Sequence, residues 1–218
     1  MYRSAQPFAY WFIKNNYDTP RNTFDGNMKL QKLLYFSQLV HLAKYDEPLF
    51  DDTIYAFRHG SVVETVRQPY HHDFQNYVIR ALSQKIDLTS EQLDTLQTVE
   101  EIFGQLSASE LSDINHEHVS WRESYGRSLS GGYSWKENAY ITIDQLRKNE
   151  VDLIKETIKA YEDGLMNDNF IEINNVKFYY DPNEIELDSN LLTILESFSG
   201  EDSSYTIYKD ETAGLVIF

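Results

Sequence analysis

The feature that most limits how this chain can fold is a change of apolar period near Gly164. Before it, hydrophobic residues recur at helical spacing. Leu93, Leu96, Val99, Phe103 and Leu106 follow a Thr89–Gln92 capping box, and Val151, Ile154, Ile158, Tyr161 and Leu165 follow a second box at Thr142 and Gln145. Each set puts one apolar stripe on a core. Helices are also expected near residues 7–16, 27–44 and 64–83, the last with a break near Pro69. After Gly164 the period falls to two. "FIEINNVKFYYD" flanks Asn174 and Asn175, a pair that tolerates positive φ and suits a tight hairpin. "SSYTIYKDETAGLVIF" repeats the arrangement with a longer turn ending at Gly214. Between them, Asp188 is placed to cap a short helix through Leu191, Leu192 and Leu195.

The sequence therefore predicts a mainly α fold, α+β overall. A compact helical domain occupies residues 1–166, and a small β-rich appendage occupies 167–218. One stretch inside the helical part breaks the pattern. In "DDTIYAFRHGSVVE", β-branched and aromatic residues bounded by Gly60 predict a short strand or extended loop between helices.

Charge follows the same division. Residues 1–166 hold 17 basic and 24 acidic side chains, net −7, and residues 167–218 hold 2 and 11, net −9. An overall −16 argues against a general phosphate-backbone binder, since such affinity rests on lysine and arginine displacing counterions. The acidic tail serves either solubility or steering toward a basic partner. There is no cysteine, which fits a reducing compartment. The opening apolar run is broken by Lys14, short of a secretory core or a membrane span, so the expected setting is the cytoplasm.

"KLQKLLYFSQLVHL", residues 29–42, is the most apolar helical stretch. Leu30, Leu33, Leu34, Ser37 and Val40 share one face, while Tyr35, Phe36, Leu39 and Leu42 widen the arc beyond what a half-exposed helix needs. This predicts the central helix. Lys29 and Lys32 lie near its start, where the macrodipole disfavours cations unless a carboxylate such as Asp25 is close. Otherwise they look outward, toward an acidic partner.

The run from this helix onward, "MKLQKLLYFSQLVHLAKYDEPLFDDTIYAFRHGSVV", resembles the signature of the Panacea domain of SocA-like antitoxins. The matching pieces are Lys29 to Phe36, Pro48 to Phe50 and Gly60 to Val62, with a further likeness at Leu111, His116 and Trp121 in "LSDINHEHVSWRES". Ser61 stands where the family usually has proline, and the tail from residue 167 lies outside the family's core. The resemblance implies a helical domain that acts as an antitoxin, neutralising a toxin encoded beside it by direct protein binding. In the SocA branch it implies a proteolytic adaptor that delivers the toxin for degradation. It also implies a home in prophages and other mobile elements. No enzymatic activity and no cofactor is expected.

Residue by residue, the expected partner-binding set is Lys29, Lys32 and Tyr35 on the opening helix, Arg58, His59, Gly60, Ser61 and Val62 in the following loop, and Tyr133 and Trp135 as aromatic anchors. The loop carries directional donors beside a glycine turn. The alternative is a turn that pins two helices with Arg58 in an internal ion pair. Leu33, Leu34, His116 and Trp121 are expected to be structural, with His116 orienting a helix junction through a buried hydrogen bond and Trp121 packed beside it. No metal is expected. Adjacent His71 and His72 point about 100° apart on a helix, and His116 and His118 converge only from an extended segment. Paired acids such as Glu100 and Glu101, or Asp51 and Asp52, are adjacent, not converging. "SLSGG", residues 128–132, lacks the lysine of a phosphate loop. The readings set against the antitoxin are a histidine-dependent hydrolase around His59 and His116, and an acidic nucleic-acid mimic built on the tail. Free hairpin edges offer a route to a homodimer.

Overall fold

The computed structural model describes residues 3–130, 133–167, 169–200, 202–210 and 214–217. Among them are ten α-helices and nine short strands, 58% of the described residues being helical. Contacts divide the chain into two compact units, Met1–Ile158 and Lys159–Phe218.

In the first unit, α1 (Gln6–Lys14) precedes α2 (Phe24–Tyr45), a 22-residue helix capped by the Thr23 hydroxyl, which accepts the Gly26 N–H at 3.0 Å. From Leu30 to Leu42 every residue of α2 is buried, so it is the central helix that the apolar arc requires. Then come β1 (Ile54–Phe57) and β2 (Gly60–Val63), a hairpin turning at Arg58 and His59 with Phe57 opposite Gly60. The expected strand or loop is thus a paired ribbon.

Next are α3 (Glu64–His72) and α4 (Phe74–Ser83). The break between them falls at Asp73, and Pro69 sits inside α3. Proline leaves the carbonyl four residues back without its helical donor. That carbonyl belongs to Thr65, and the Gln6 side-chain amide donates to it at 2.6 Å, so α1 supplies the missing bond and α3 runs on.

Helix α5 (Ser90–Phe103) begins at the expected Thr89–Gln92 capping box. Helix α6 (Ala108–Glu117) begins at a third box, Ser107–Glu110, and α7 (Val119–Ser128) follows directly. After β3 (Leu129–Ser130), β4 (Tyr133–Ser134) and a 3-10 turn at Lys136–Asn138, β5 (Tyr140–Ile141) joins the hairpin as a third strand, giving the order β2-β1-β5. Gly131 and Gly132 of the "SLSGG" stretch lie outside the described residues.

The second expected box, Thr142–Gln145, opens α8 (Ile143–Asn149), and the stripe from Val151 belongs to a separate helix, α9 (Val151–Asn167). The backbone leaves helical geometry at Glu150 (φ −120°). Its buried carboxylate accepts the Ser120 N–H at 2.8 Å and the Ser120 hydroxyl at 3.2 Å.

The second unit is one four-stranded sheet, order β6-β7-β8-β9, with a small core of Phe178, Ile185, Leu191, Leu195 and Ile207. β6 (Phe170–Ile173) and β7 (Val176–Tyr180) form the expected tight hairpin, with Asn174 (φ 53°) and Asn175 (φ 65°) at its turn. α10 (Ser189–Ser197) starts where the Asp188 carboxylate accepts the Leu191 N–H at 2.7 Å. It carries the chain over to β8 (Ser204–Asp210), which lies parallel to β7, and β9 (Gly214–Ile217) closes a second hairpin.

Candidate functional site

The polar side chains of α2 explain how so apolar a helix sits in the fold. Several of those turned inward hold backbone of other segments. Gln38 brackets Phe50 from both sides, donating to its carbonyl at 3.2 Å and accepting its N–H at 3.1 Å. Gln31 accepts the Val63 N–H at 2.9 Å and so holds β2. His41 Nδ1 meets the Thr95 hydroxyl at 2.7 Å.

The two lysines follow the same rule, which corrects the expectation that they look outward or rest on Asp25. Lys29 donates to the Gly104 carbonyl at 2.8 Å, at the C-terminal end of α5, where the helix dipole is negative. Lys32 is fully buried, 0% exposed, and donates to the Ser61 carbonyl at 3.0 Å. Among the described residues no carboxylate pairs with it, and burial alone pulls its ammonium down to about 7.

Around that ammonium lies a polar cluster inside the core. Gly60 adopts φ +96°, and a Cβ there would meet Lys32 Cε at 2.5 Å and Asn115 Oδ1 at 2.5 Å, so only glycine fits. The Asn115 side-chain oxygen accepts the Ser61 N–H. Tyr35 lies 2.8 Å from His118 Nδ1 through its hydroxyl, and burial raises the Tyr35 phenol and lowers His118 to about 4. Ser61 and Asn115 both turn their side chains toward the Tyr35 hydroxyl, and among the described residues Ser61 Oγ and Asn115 Nδ2 make no well-aligned hydrogen bond.

Tyr35, Gly60, Ser61 and Val62 are therefore interior residues, not an accessible contact surface, because the hairpin folds its second strand down against α2. Arg58 and His59 stay exposed at the turn, and among the described residues no carboxylate pairs with Arg58, so the internal ion pair is not formed. Trp135 is 53% exposed. Tyr133 sits in β4, but its side chain lies outside the described part.

Leu33 and Leu34 are core residues. Trp121 donates its indole N–H to the Phe57 carbonyl at 3.0 Å and packs on the His116 ring at 4.1 Å, holding α7 to the hairpin. The His116 ring has a hydrogen bond to the Arg58 backbone at the hairpin turn, and a more deeply buried one, to Tyr35, belongs to His118, the residue between α6 and α7. His116 is half-buried, and its Nε2 has no partner among the described residues. His71 and His72 are both exposed, with ring centres 4.8 Å apart, and among the described residues no three metal-ligating side chains converge.

Between the start of α2, the hairpin and α3 opens a pocket of about 530 Å³. Lys32, Gln31, Asn27, Val62 and Tyr70 are its buried lining, and its exposed lining includes Phe24, His59 and His71. Phe24, 63% exposed, stands edge-on to the His59 ring at 5.2 Å. Sequence reasoning found Lys32 and His59 but not Asn27, Tyr70 or Arg67. Those reach the pocket from a helix start and from α3, a meeting that no local pattern encodes.

Residues 30–122 match the family model of the SocA-like antitoxin, Panacea domain. The matched segment runs from α2 through the hairpin to the start of α7, so it contains the buried lysine, the hairpin and Trp121. No curated protein and no solved structure matches the chain. Among the described residues no helix is long and apolar enough to cross a membrane.

Proposed function

We propose that this chain is an antitoxin that neutralises a cognate protein toxin by direct binding, with residues 1–166 as the antitoxin domain and 167–218 as an acidic appendage. The observation that carries the reading is the Panacea match over residues 30–122. The partner is a toxin encoded next to it, both act in the cytoplasm, and the role is binding, not catalysis.

The contact surface we assign is smaller than the sequence suggests: Arg58 and His59 at the hairpin turn, with Phe24 beside His59 and Trp135 as a further exposed aromatic. Exposed aromatics and an unpaired arginine are the residue types that dominate interface energetics. The buried members of the loop act by holding this turn in place.

The test is co-expression of the chain with the product of the neighbouring reading frame, scoring growth and co-purification together. Rescue with a stoichiometric complex is expected. The double substitution Arg58→Glu, His59→Ala should abolish rescue while leaving the circular dichroism spectrum and melting unchanged. Gly60 is left alone because any side chain there enters the core. Full rescue by the folded double variant would remove the hairpin turn from the interface. Rescue accompanied by protease-dependent loss of the toxin, and no stable complex, would replace direct blocking by delivery for degradation.

A further inference from the structure

We propose that the pocket between α2, the β1–β2 hairpin and α3 binds a small organic anion, a carboxylate or phosphate carried on a planar ring, with Lys32 and Arg67 receiving the charged group and Phe24 and Tyr70 flanking the ring. The inference does not depend on the toxin partner.

The first support is charge. In a chain of net −16 the pocket wall contains no aspartate or glutamate, yet it contains Lys32, His59, Arg67 and His71. The second is the state of Lys32. An ammonium offers three donors, and among the described residues one is used, on the Ser61 carbonyl, and no carboxylate pairs with it. A buried cation without a partner is among the costliest groups a core can hold, and an apolar side chain of the same length would remove the cost. An anion entering the pocket would supply the missing counter-charge, and the ammonium would then hold its proton more tightly.

Arg67 is bound to Glu64 through Nε at 2.7 Å, and among the described residues its terminal amino groups carry no ion pair. They are free for a second contact. Size fits as well, since about 530 Å³ lies within the range of small-molecule sites, which pair apolar walls with a few convergent polar groups. Titratable groups on the elements packed around Lys32 include Tyr35 on α2, His59 at the hairpin, Glu64, Arg67, Tyr70 and His71 on α3, and His116 and His118 at the end of α6. Of these, His116 feels the Lys32 charge directly.

The experiment is isothermal titration calorimetry on the full chain with two arms, adenosine 5′-monophosphate and indole-3-acetate. Inorganic phosphate and adenosine serve as half-ligands. Saturable binding of either ring-bearing anion is expected, stronger than that of both half-ligands, and the responding arm distinguishes a nucleotide from an aromatic acid. Lys32→Met should weaken binding about tenfold or more, the effect of losing a charge-assisted hydrogen bond. Arg67→Gln, a surface change that leaves the core intact, should weaken it several-fold. At pH 7 the indole-3-acetate arm should take up a fraction of a proton per site, read from buffers of different ionisation enthalpy, because burial lowers the Lys32 ammonium toward neutral pH and a bound anion restores its proton. That uptake should vanish in Lys32→Met. No saturable binding of either anion, equal affinity in both variants, or proton uptake that persists without Lys32 would each overturn the proposal.

Discussion

Lys32→Met should make the first unit more stable at neutral pH, by a margin that shrinks as pH rises. The Lys32 ammonium ordinarily titrates at 10.5 and is pulled to about 7 in the fold. At about 1.4 kcal/mol per pKa unit, keeping the charged form buried costs on the order of 5 kcal/mol relative to the neutral amine. Between the folded and unfolded values the unfolded chain carries a proton that the folded one lacks, so stability rises with pH in that window. Below about 7 both states are protonated and the penalty is constant. From pH 7 to pH 9 the wild type should therefore gain about 2 kcal/mol relative to Lys32→Met.

Urea titrations followed by tryptophan fluorescence give the measurement, because Trp11, Trp121 and Trp135 all lie in the unit spanning Met1–Ile158 and report it alone. Taking the difference between two variants cancels other groups that titrate in the range. Parallel pH profiles for wild type and Lys32→Met would show that Lys32 is not the group being neutralised, and would refute the reasoning.

Gly60→Ala combines a left-handed backbone with a Cβ placed 2.5 Å from Lys32 Cε. It should cost about 2 to 5 kcal/mol, and a loss under about 1 kcal/mol in the same urea assay would mean that the hairpin relaxes freely. His118 is held neutral by burial, its pKa lowered from 6.5 to about 4. Between those values the unfolded chain takes a proton that the folded one refuses, so stability should fall by up to about 3 kcal/mol as pH drops from 7 to 4. His118→Asn should flatten that acid limb, and an unchanged slope would assign it to other groups. Tyr35→Phe leaves His118 Nδ1 without its 2.8 Å partner in the core. A destabilisation of about 1 to 3 kcal/mol is expected at pH 7, and no change in the urea midpoint would show that the pair contributes nothing.

Sequence alone determined whatever local periodicity and end signals can encode. The α2 stripe, the Thr89 and Thr142 capping boxes, the Asn174–Asn175 turn and the Asp188 cap were all legible, because each rests on residues within a few positions of one another. The Ser107–Glu110 box is legible by the same rule. Local signals misplaced the break after Pro69 and the continuity across Glu150. In both cases a distant residue decides, with Gln6 satisfying the Thr65 carbonyl and Glu150 turning inward to Ser120.

The site divides along the same line. Its motif residues stand in sequence order, but which of them face water was set by tertiary structure. Ser61, Tyr35 and Lys32 became interior once β2 folded against α2, and Arg58 and His59 remained outside at the turn. Charge type is written in the chain. Whether a lysine meets solvent, a helix end or a pocket depends on what packs over it, and Gly104, Ser61 and Arg67 reach α2 from segments far away along the sequence.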